Sequence, residues 1–251
     1  MMQNIENWGG YLAYKMGGKK APVFIFRMRN QFSIDVPRQI LPEFKESVFD
    51  EQYFKFLPKK IKEIKNPIVL DIGANLGFFT AFAYFKLNHP HIYSFEPMKR
   101  NFLRLEDNLK SIQKQNITLI NKAINDKPGE LVLKFNDSLE FTTSASLFYN
   151  LLGRDEETVK ATTLEEEFAE HKLHKIDVLK LDCEGAEYNI FYNTPVSFFD
   201  KVNSIAMETH LGKADNENNA SLAKYIKGLG FEVKTKKEFI WAYKNPNKWV
   251  L

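Results

Sequence analysis

The sequence predicts an α/β fold: a mostly parallel, seven-stranded sheet with helices on both faces and a C-terminal antiparallel hairpin strand. Two observations carry this expectation. From residue 67 onward, short runs of β-branched and aromatic residues alternate with helical patterns, and strands separated by helices form parallel sheets. Near the C-terminus, FEVKTKKEFIWAYK sets two strands in succession with almost no loop. Only an antiparallel pair allows that, because a parallel crossover needs on the order of a dozen residues.

The elements follow in order. Residues 1–66 are punctuated by Pro22, Pro37, Pro42 and Pro58. VFIFRMR (23–29) and FSIDV (32–36) predict a hairpin around Asn30 and Gln31. Residues 43–57 predict a helix carrying Phe44, Phe49, Tyr53 and Phe56. This segment is expected to be a cap or lid on a main domain of residues 67–251; extra helices covering a sheet edge are the plainer alternative. In the main domain IVLDI is the first strand and residues 76–87 a helix, HIYSFE the second strand and 98–114 a helix, and ITLINKAIN the third strand. ELVLKF and residues 141–148 break the alternation and predict a hairpin insertion. A helix over 163–171, the strand IDVLKLD, a short helix over 185–192, the strand VNSIAMETH and a helix over 218–227 lead to the final pair.

Composition bounds the class. The 251 residues are 44% hydrophobic and 14% aromatic, enough for one large core. The 35 basic and 32 acidic residues leave a formal charge of +3, which does not argue for a nucleic-acid partner. Cys183 is the sole cysteine, so neither an intrachain disulfide nor a cysteine-rich metal site is available. No stretch approaches the ~20 apolar residues of a membrane span, and the first residues lack an apolar signal core. The expectation is a cytoplasmic protein in a reducing compartment.

The turn VLDIGANLGFFT (69–80) asks what it holds. In open α/β sheets ligands sit beyond the carboxyl ends of the strands. The dinucleotide fingerprint G-x-G-x-x-G, read from Gly73, finds Asn75 and Phe78 where its second and third glycines belong. A side chain at Asn75 stands where a pyrophosphate would come closest, and Phe78 obstructs tight helix–strand packing. A lysine-bearing P-loop is absent as well. The pattern is D-x-G-x-N-x-G: Asp71, Gly73, Asn75, Gly77, then Phe78. An aspartate in the turn repels phosphate and favours a ligand with positive charge, such as S-adenosylmethionine (SAM), which has an ammonium and a sulfonium and no phosphate. The segment resembles the first motif of the Rossmann-like SAM-dependent methyltransferases. The second strand ends in Glu96, 19 residues past Gly77 and followed by Pro97. A carboxylate there suits the ribose hydroxyls, a helix-start charge being the alternative. The third strand should pass the adenine near Asn121, Lys122 and Ala123.

Further pieces narrow the resemblance: FKESVFDEQYF, SFEP, KATTLEEEF, IDVLKLDCEGAEYNIF and SIAMETH. Together they resemble the FkbM family of methyltransferases over about residues 44–210. That resemblance implies a Rossmann-like SAM-methyltransferase fold and methylation of hydroxyl groups on sugars, glycans or polyketides. It also implies that Glu46 and Tyr53 close over the methionine end of the cofactor.

Methyl transfer to an alcohol needs an in-line nucleophile and a base, a metal, or both. LDCEGAE and METH put Asp182, Glu184, Glu208 and His210 at the carboxyl edge of the sheet. Glu208 and His210, two apart on a strand, share a face. Asp182, Glu184 and His210 are therefore catalytic candidates, and Asp182 also borders the cofactor. Two mechanisms stand open, with His210 or a carboxylate as general base, or with Asp182, Glu208 and His210 holding Mg²⁺ or Mn²⁺. An ion-pair network that orders the edge is the structural alternative. Glu187 is expected to support neighbouring groups, and Cys183, between two acids, to be unreactive. Residues 136–154, rich in Ser and Thr, could form a loop that recognises polyols.

Rivals are weaker. An amino-group nucleic-acid methyltransferase needs an Asn/Asp-Pro-Pro-aromatic motif where Asp182-Cys183-Glu184-Gly185 stands, and an acidic edge repels phosphates. An NAD-dependent oxidoreductase lacks its fingerprint. A non-catalytic SAM-binding protein remains a reading of a different class. The expectation is a SAM-dependent O-methyltransferase acting on a saccharide or another small-molecule hydroxyl, with no nucleic-acid partner and an oligomeric state the residues do not indicate.

Overall fold

A computed structural model describes residues 5–16, 22–28, 32–112, 116–135 and 155–245. The chain opens with helix α1 (Trp8–Lys15) and the antiparallel hairpin of β1 (Val23–Arg27) and β2 (Ser33–Pro37), as the residue pattern predicts. Its turn, at residues 29–31, lies outside the described residues. The single helix expected over 43–57 is instead three short pieces: α2 (Leu41–Phe44), a π turn (Lys45–Phe49) and a 3₁₀ turn (Gln52–Phe54). Glu51 breaks the ladder with a left-handed φ of 48°, and its carboxylate meets Lys86 at 2.7 Å. The break turns the Tyr53 hydroxyl toward Asp182, 2.9 Å away.

The main body continues with β3 (Ile68–Ile72), α3 (Phe78–Lys86), β4 (His91–Phe95), α4 (Lys99–Leu109), β5 (Ile117–Ile120), β6 (Ala123–Ile124), β7 (Gly129–Phe135) and β8 (Asp155–Thr162). After these come α5 (Leu164–Glu170), β9 (Val178–Leu181), α6 (Glu187–Asn193), β10 (Ser204–Glu208), α7 (Asn219–Gly228), β11 (Glu232–Lys236) and β12 (Phe239–Tyr243). The seven-stranded sheet has the order β5-β4-β3-β9-β10-β12-β11. Only β12 runs antiparallel, between β10 and β11. This is the Rossmann-like, mostly parallel sheet with a terminal hairpin strand that the alternation predicts.

Two expectations shift. The third strand divides at Asn121 and Lys122: β5 stays in the main sheet, and β6 joins a three-stranded sheet of order β6-β8-β7. ELVLKF pairs with β8, from Gly129 opposite Ala161 to Phe135 opposite Asp155. Residues 141–148, expected to be its partner, lie with the rest of 136–154 outside the described residues.

Side-chain alternation divides the core between the two faces of the sheet. Leu70, Ile72, Leu179 and Leu181 pack with α5, α6 and α7. Val69 and Val178 pack on the other face, with α3, α4 and most of the N-terminal segment. That second core is continuous from Phe26, Phe44 and Tyr53 through Phe78 and Phe79 to Trp241. The Trp241 indole N–H donates to Gln52 O at 2.8 Å, fastening the entry segment to the sheet.

Candidate active site at the carboxyl edge of the sheet

The strand order reverses between β3 and β9, and the turns after them shape two adjoining compartments. One spans about 720 Å³ and the other about 840 Å³, and both open to solvent. Gly73, Asn75, Asp182 and Glu184 line both.

The turn after β3 is built by close approach. Gly73 has a φ of 74°, and a Cβ there would lie 1.8 Å from the carbonyl oxygen of Asp182. The Gly73 and Ala74 amides donate to Phe95 O at 3.0 and 2.9 Å. Asn75, also left-handed at φ 50°, donates its amide to Glu96 Oε2 at 2.9 Å. Gly77, at φ 85°, caps α3 behind the turn, where a Cβ would meet Leu105 at 2.6 Å. It lines neither compartment.

The structure corrects the expectation for Asp71. Its carboxylate lies fully buried beneath the turn and outside both compartments. Lys180 Nζ meets one oxygen at 3.0 Å, and the Thr80 hydroxyl donates to the other at 2.6 Å. An ionised carboxylate withdrawn from water needs such partners. Asp71 therefore fixes the turn from below, through a lysine that also donates to Gly73 O at 2.8 Å.

The first compartment is walled by Phe95, Ile124, Leu131 and Leu133. Glu96, Pro97, Lys122 and Ala123 line it too, so these four expected residues come together. Glu96 is 4% exposed, and its second oxygen accepts the Met98 amide at 3.0 Å. Burial pushes its carboxyl up to about 7, against the pull of those two amides. Lys122 is held by Glu167 at 2.7 Å and Glu170 at 3.3 Å. Asn121 Nδ2 donates to the carbonyls of Glu96 and Pro97, both at 2.8 Å. Asn101, Leu131 and Leu133 were not expected here. One helical turn separates Asn101 from Pro97, a spacing that could have marked it; nothing in the sequence assigned β7 to the cleft.

The second compartment gathers Glu43, Glu46, Asp182, Glu184, Glu208 and His210, with Tyr53 and Phe78 in its wall. Phe78 is nearly buried and meets the Phe44 ring edge-on at 5.2 Å, so it serves the wall and the core together. Burial, then the Asp182 charge, pushes Glu46 up to about 7. Glu184 also rises to about 7, through burial first and then the neighbouring acids, although His210 opposes the shift. Glu208 rises for the same reasons, burial and then the charges of Asp182 and Glu46. His210 moves upward as well. Burial works against its charged form, but the bond to Glu187 and the charges of Glu184, Glu187 and Asp182 outweigh it. That upward shift favours the protonated imidazole, which argues against its acting as the general base. Ligand atoms of Asp182, Glu208 and His210 lie within 4.8 Å of one another. Cys183 is pushed far up by burial and by Glu187 and Asp182, which leaves its thiol unreactive.

No curated protein matches the chain. Among solved structures, Aeropyrum pernix fibrillarin with natively bound S-adenosyl-L-methionine is 11% identical, with a TM-score of 0.45 over 90% of this chain and 94% of that one. Precorrin-6y C5,15-methyltransferase from Geobacter metallireducens is 12% identical, with a TM-score of 0.44 over 74% of this chain and 84% of that one. At such values their substrates and partners do not transfer. The profile of the methyltransferase FkbM domain matches residues 71–233, from the aspartate under the turn to β11, and the chain belongs to the FkbM family of SAM-dependent methyltransferases.

Proposed function

We propose that this methyltransferase transfers its methyl group to a hydroxyl, with a neutral saccharide or glycan precursor as the acceptor. The observation that carries the reading is the junction of two unlike compartments at Gly73, Asn75, Asp182 and Glu184. The apolar one, with the Glu96 carboxyl at its edge, suits adenosine, the ribose hydroxyls meeting Glu96 and the base lying by Lys122 and Ala123. The polar one suits the methionine end, near Glu46 and Tyr53, and the acceptor beyond it. Residues 1–66 then act as a cap, since Glu43, Glu46 and Tyr53 wall that compartment.

The hydroxyl oxygen attacks the sulfonium methyl in line, a C–O bond forming as the C–S bond breaks. Holding the two in place contributes about 7–11 kcal/mol. The hydroxyl proton passes to a carboxylate whose pKa lies near neutrality, a property suited to a general base. Glu184, at about 7, meets that need. The density of carboxylates repels phosphates, which disfavours nucleic acid as acceptor and favours uncharged polyols.

A metal-assisted form is favoured by one further observation, the convergence of Asp182, Glu208 and His210. Two carboxylates and an imidazole fit Mg²⁺ or Mn²⁺, which would lower the pKa of the acceptor hydroxyl. The test is transfer from methyl-labelled SAM to a panel of neutral sugars, sugar nucleotides and polyketide alcohols, with and without EDTA. Alkali-stable methyl ethers of sugars support the reading, and transfer only to polyketides or to amines contradicts it. Full activity in EDTA removes the metal. No turnover with any hydroxyl would leave SAM binding without catalysis. The sole thiol and the absence of a described helix able to cross a membrane are compatible with a cytoplasmic setting.

A further inference from the structure

We propose that Glu187 is a positioning residue for the acceptor compartment, setting the orientation of His210 and the shape of the turn that carries Glu184. The inference rests on the functional reading of that compartment. Glu187 begins α6 and is fully buried, yet it lines neither compartment. Its two oxygens serve two different loops. Oε2 accepts the Gly185 amide at 2.9 Å and faces the Cys183 thiol at 3.6 Å. Oε1 accepts the His210 amide at 2.6 Å and lies 3.3 Å from the ring nitrogen Nδ1. One carboxylate therefore joins the loop after β9 to the loop after β10.

Both loops need such a tie. Glu184 and Gly185 hold left-handed φ values of 53° and 105°. For a non-glycine residue such as Glu184 that conformation is strained and persists only where its surroundings fix it. The bond from the Gly185 amide supplies part of that constraint. At His210 the main chain is gripped twice, by Glu187 on its amide and by the Tyr188 hydroxyl, which donates to its carbonyl. With Nδ1–H directed to Glu187, the other ring nitrogen is turned to the compartment, 3.5 Å from Glu184 Oε2. A carboxylate behind an imidazole selects which nitrogen faces the chemistry.

The test is spectroscopic and needs no acceptor. The full chain is labelled with ¹⁵N-histidine and saturated with S-adenosylhomocysteine. Among its five histidines, one should show a slowly exchanging, downfield Nδ1–H correlation that His210→Asn removes. In Glu187→Gln that signal should be lost, while the correlations of the other four histidines stay in place, which shows that the chain remains folded. A signal that persists in Glu187→Gln, or a wild-type spectrum with no such His210 signal, overturns the proposal. If Glu187→Gln does not fold, Glu187→Asp, one methylene shorter, is read the same way. Failure of hydroxyl transfer with the His210 signal intact would count against the functional reading and not against the role of Glu187.

Discussion

Glu96 and Asp71 end neighbouring strands and have opposite roles. Glu96 faces a cleft and keeps a carboxyl raised by burial from the ordinary carboxylate range to about 7. A carboxyl raised in the folded state stabilises the native protein fully below its unfolded pKa, and that contribution is lost as pH rises through the folded one. The stability of the wild type relative to Glu96→Gln should therefore fall by about 3 kcal/mol between pH of about 4.5 and 8. Urea denaturation of both chains across that window measures it, and parallel profiles would contradict it. Asp71 is held by Lys180 at 3.0 Å. Lys180→Met should cost about 3–5 kcal/mol by leaving that buried charge without its cation, read from the denaturation midpoint. The place of Glu96 was legible because the end of a strand and its distance from the glycine turn are both written in the sequence. The partnership of Asp71 was not, because Lys180 lies on a strand 107 or more residues away from the turn it braces. The contact of Tyr53 with Asp182 was hidden for the same reason, at a separation of 129 residues.

At the scale of elements, alternation and caps place most helices and strands. Thr163 and Asn218 cap α5 and α7, their side chains accepting the amides of Glu166 and Ser221, so those starts were readable. Burial on both faces gave β3, β9 and β10 their largely apolar runs, interrupted by the Asp71–Lys180 pair in the first two. What the sequence left hidden are departures from regular backbone: the π turn and left-handed Glu51 of the entry segment, and the division of β5 from β6. These are settled by tertiary contacts, such as the Lys86–Glu51 pair and the pairing of Ala123 with Ala161. The turn after β3 is the element on which both compartments depend. Gly73→Ala should destabilise the protein by roughly 2–5 kcal/mol, combining left-handed strain with overpacking against Asp182, and should weaken cofactor binding. A wild-type denaturation midpoint in that variant would contradict the close approach.

The whole molecule combines a sheet that reads directly from the sequence with an N-terminal segment that does not. That segment lends Glu43, Glu46 and Tyr53 to the wall of the second compartment, and a core shared with the sheet holds it there. Phe26, Phe44 and Tyr53 share one core with Phe78, Phe79 and Trp241. Removing residues 1–66 should therefore expose that face of α3 and β12 and abolish cooperative thermal unfolding, as scanning calorimetry would show; a sharp transition in the shortened chain would contradict the shared core. We propose that S-adenosylmethionine is held by Gly73 and Asn75 of the turn after β3 and by the carboxyl of Glu96. Calorimetric titration with S-adenosylhomocysteine, beside NAD and the Glu96→Ala variant, tests it most directly. Micromolar binding of S-adenosylhomocysteine alone is expected, weakened at least about tenfold in the variant by loss of the hydrogen-bonding carboxyl. Binding of NAD in its place, or undiminished binding by a folded Glu96→Ala chain, would contradict it.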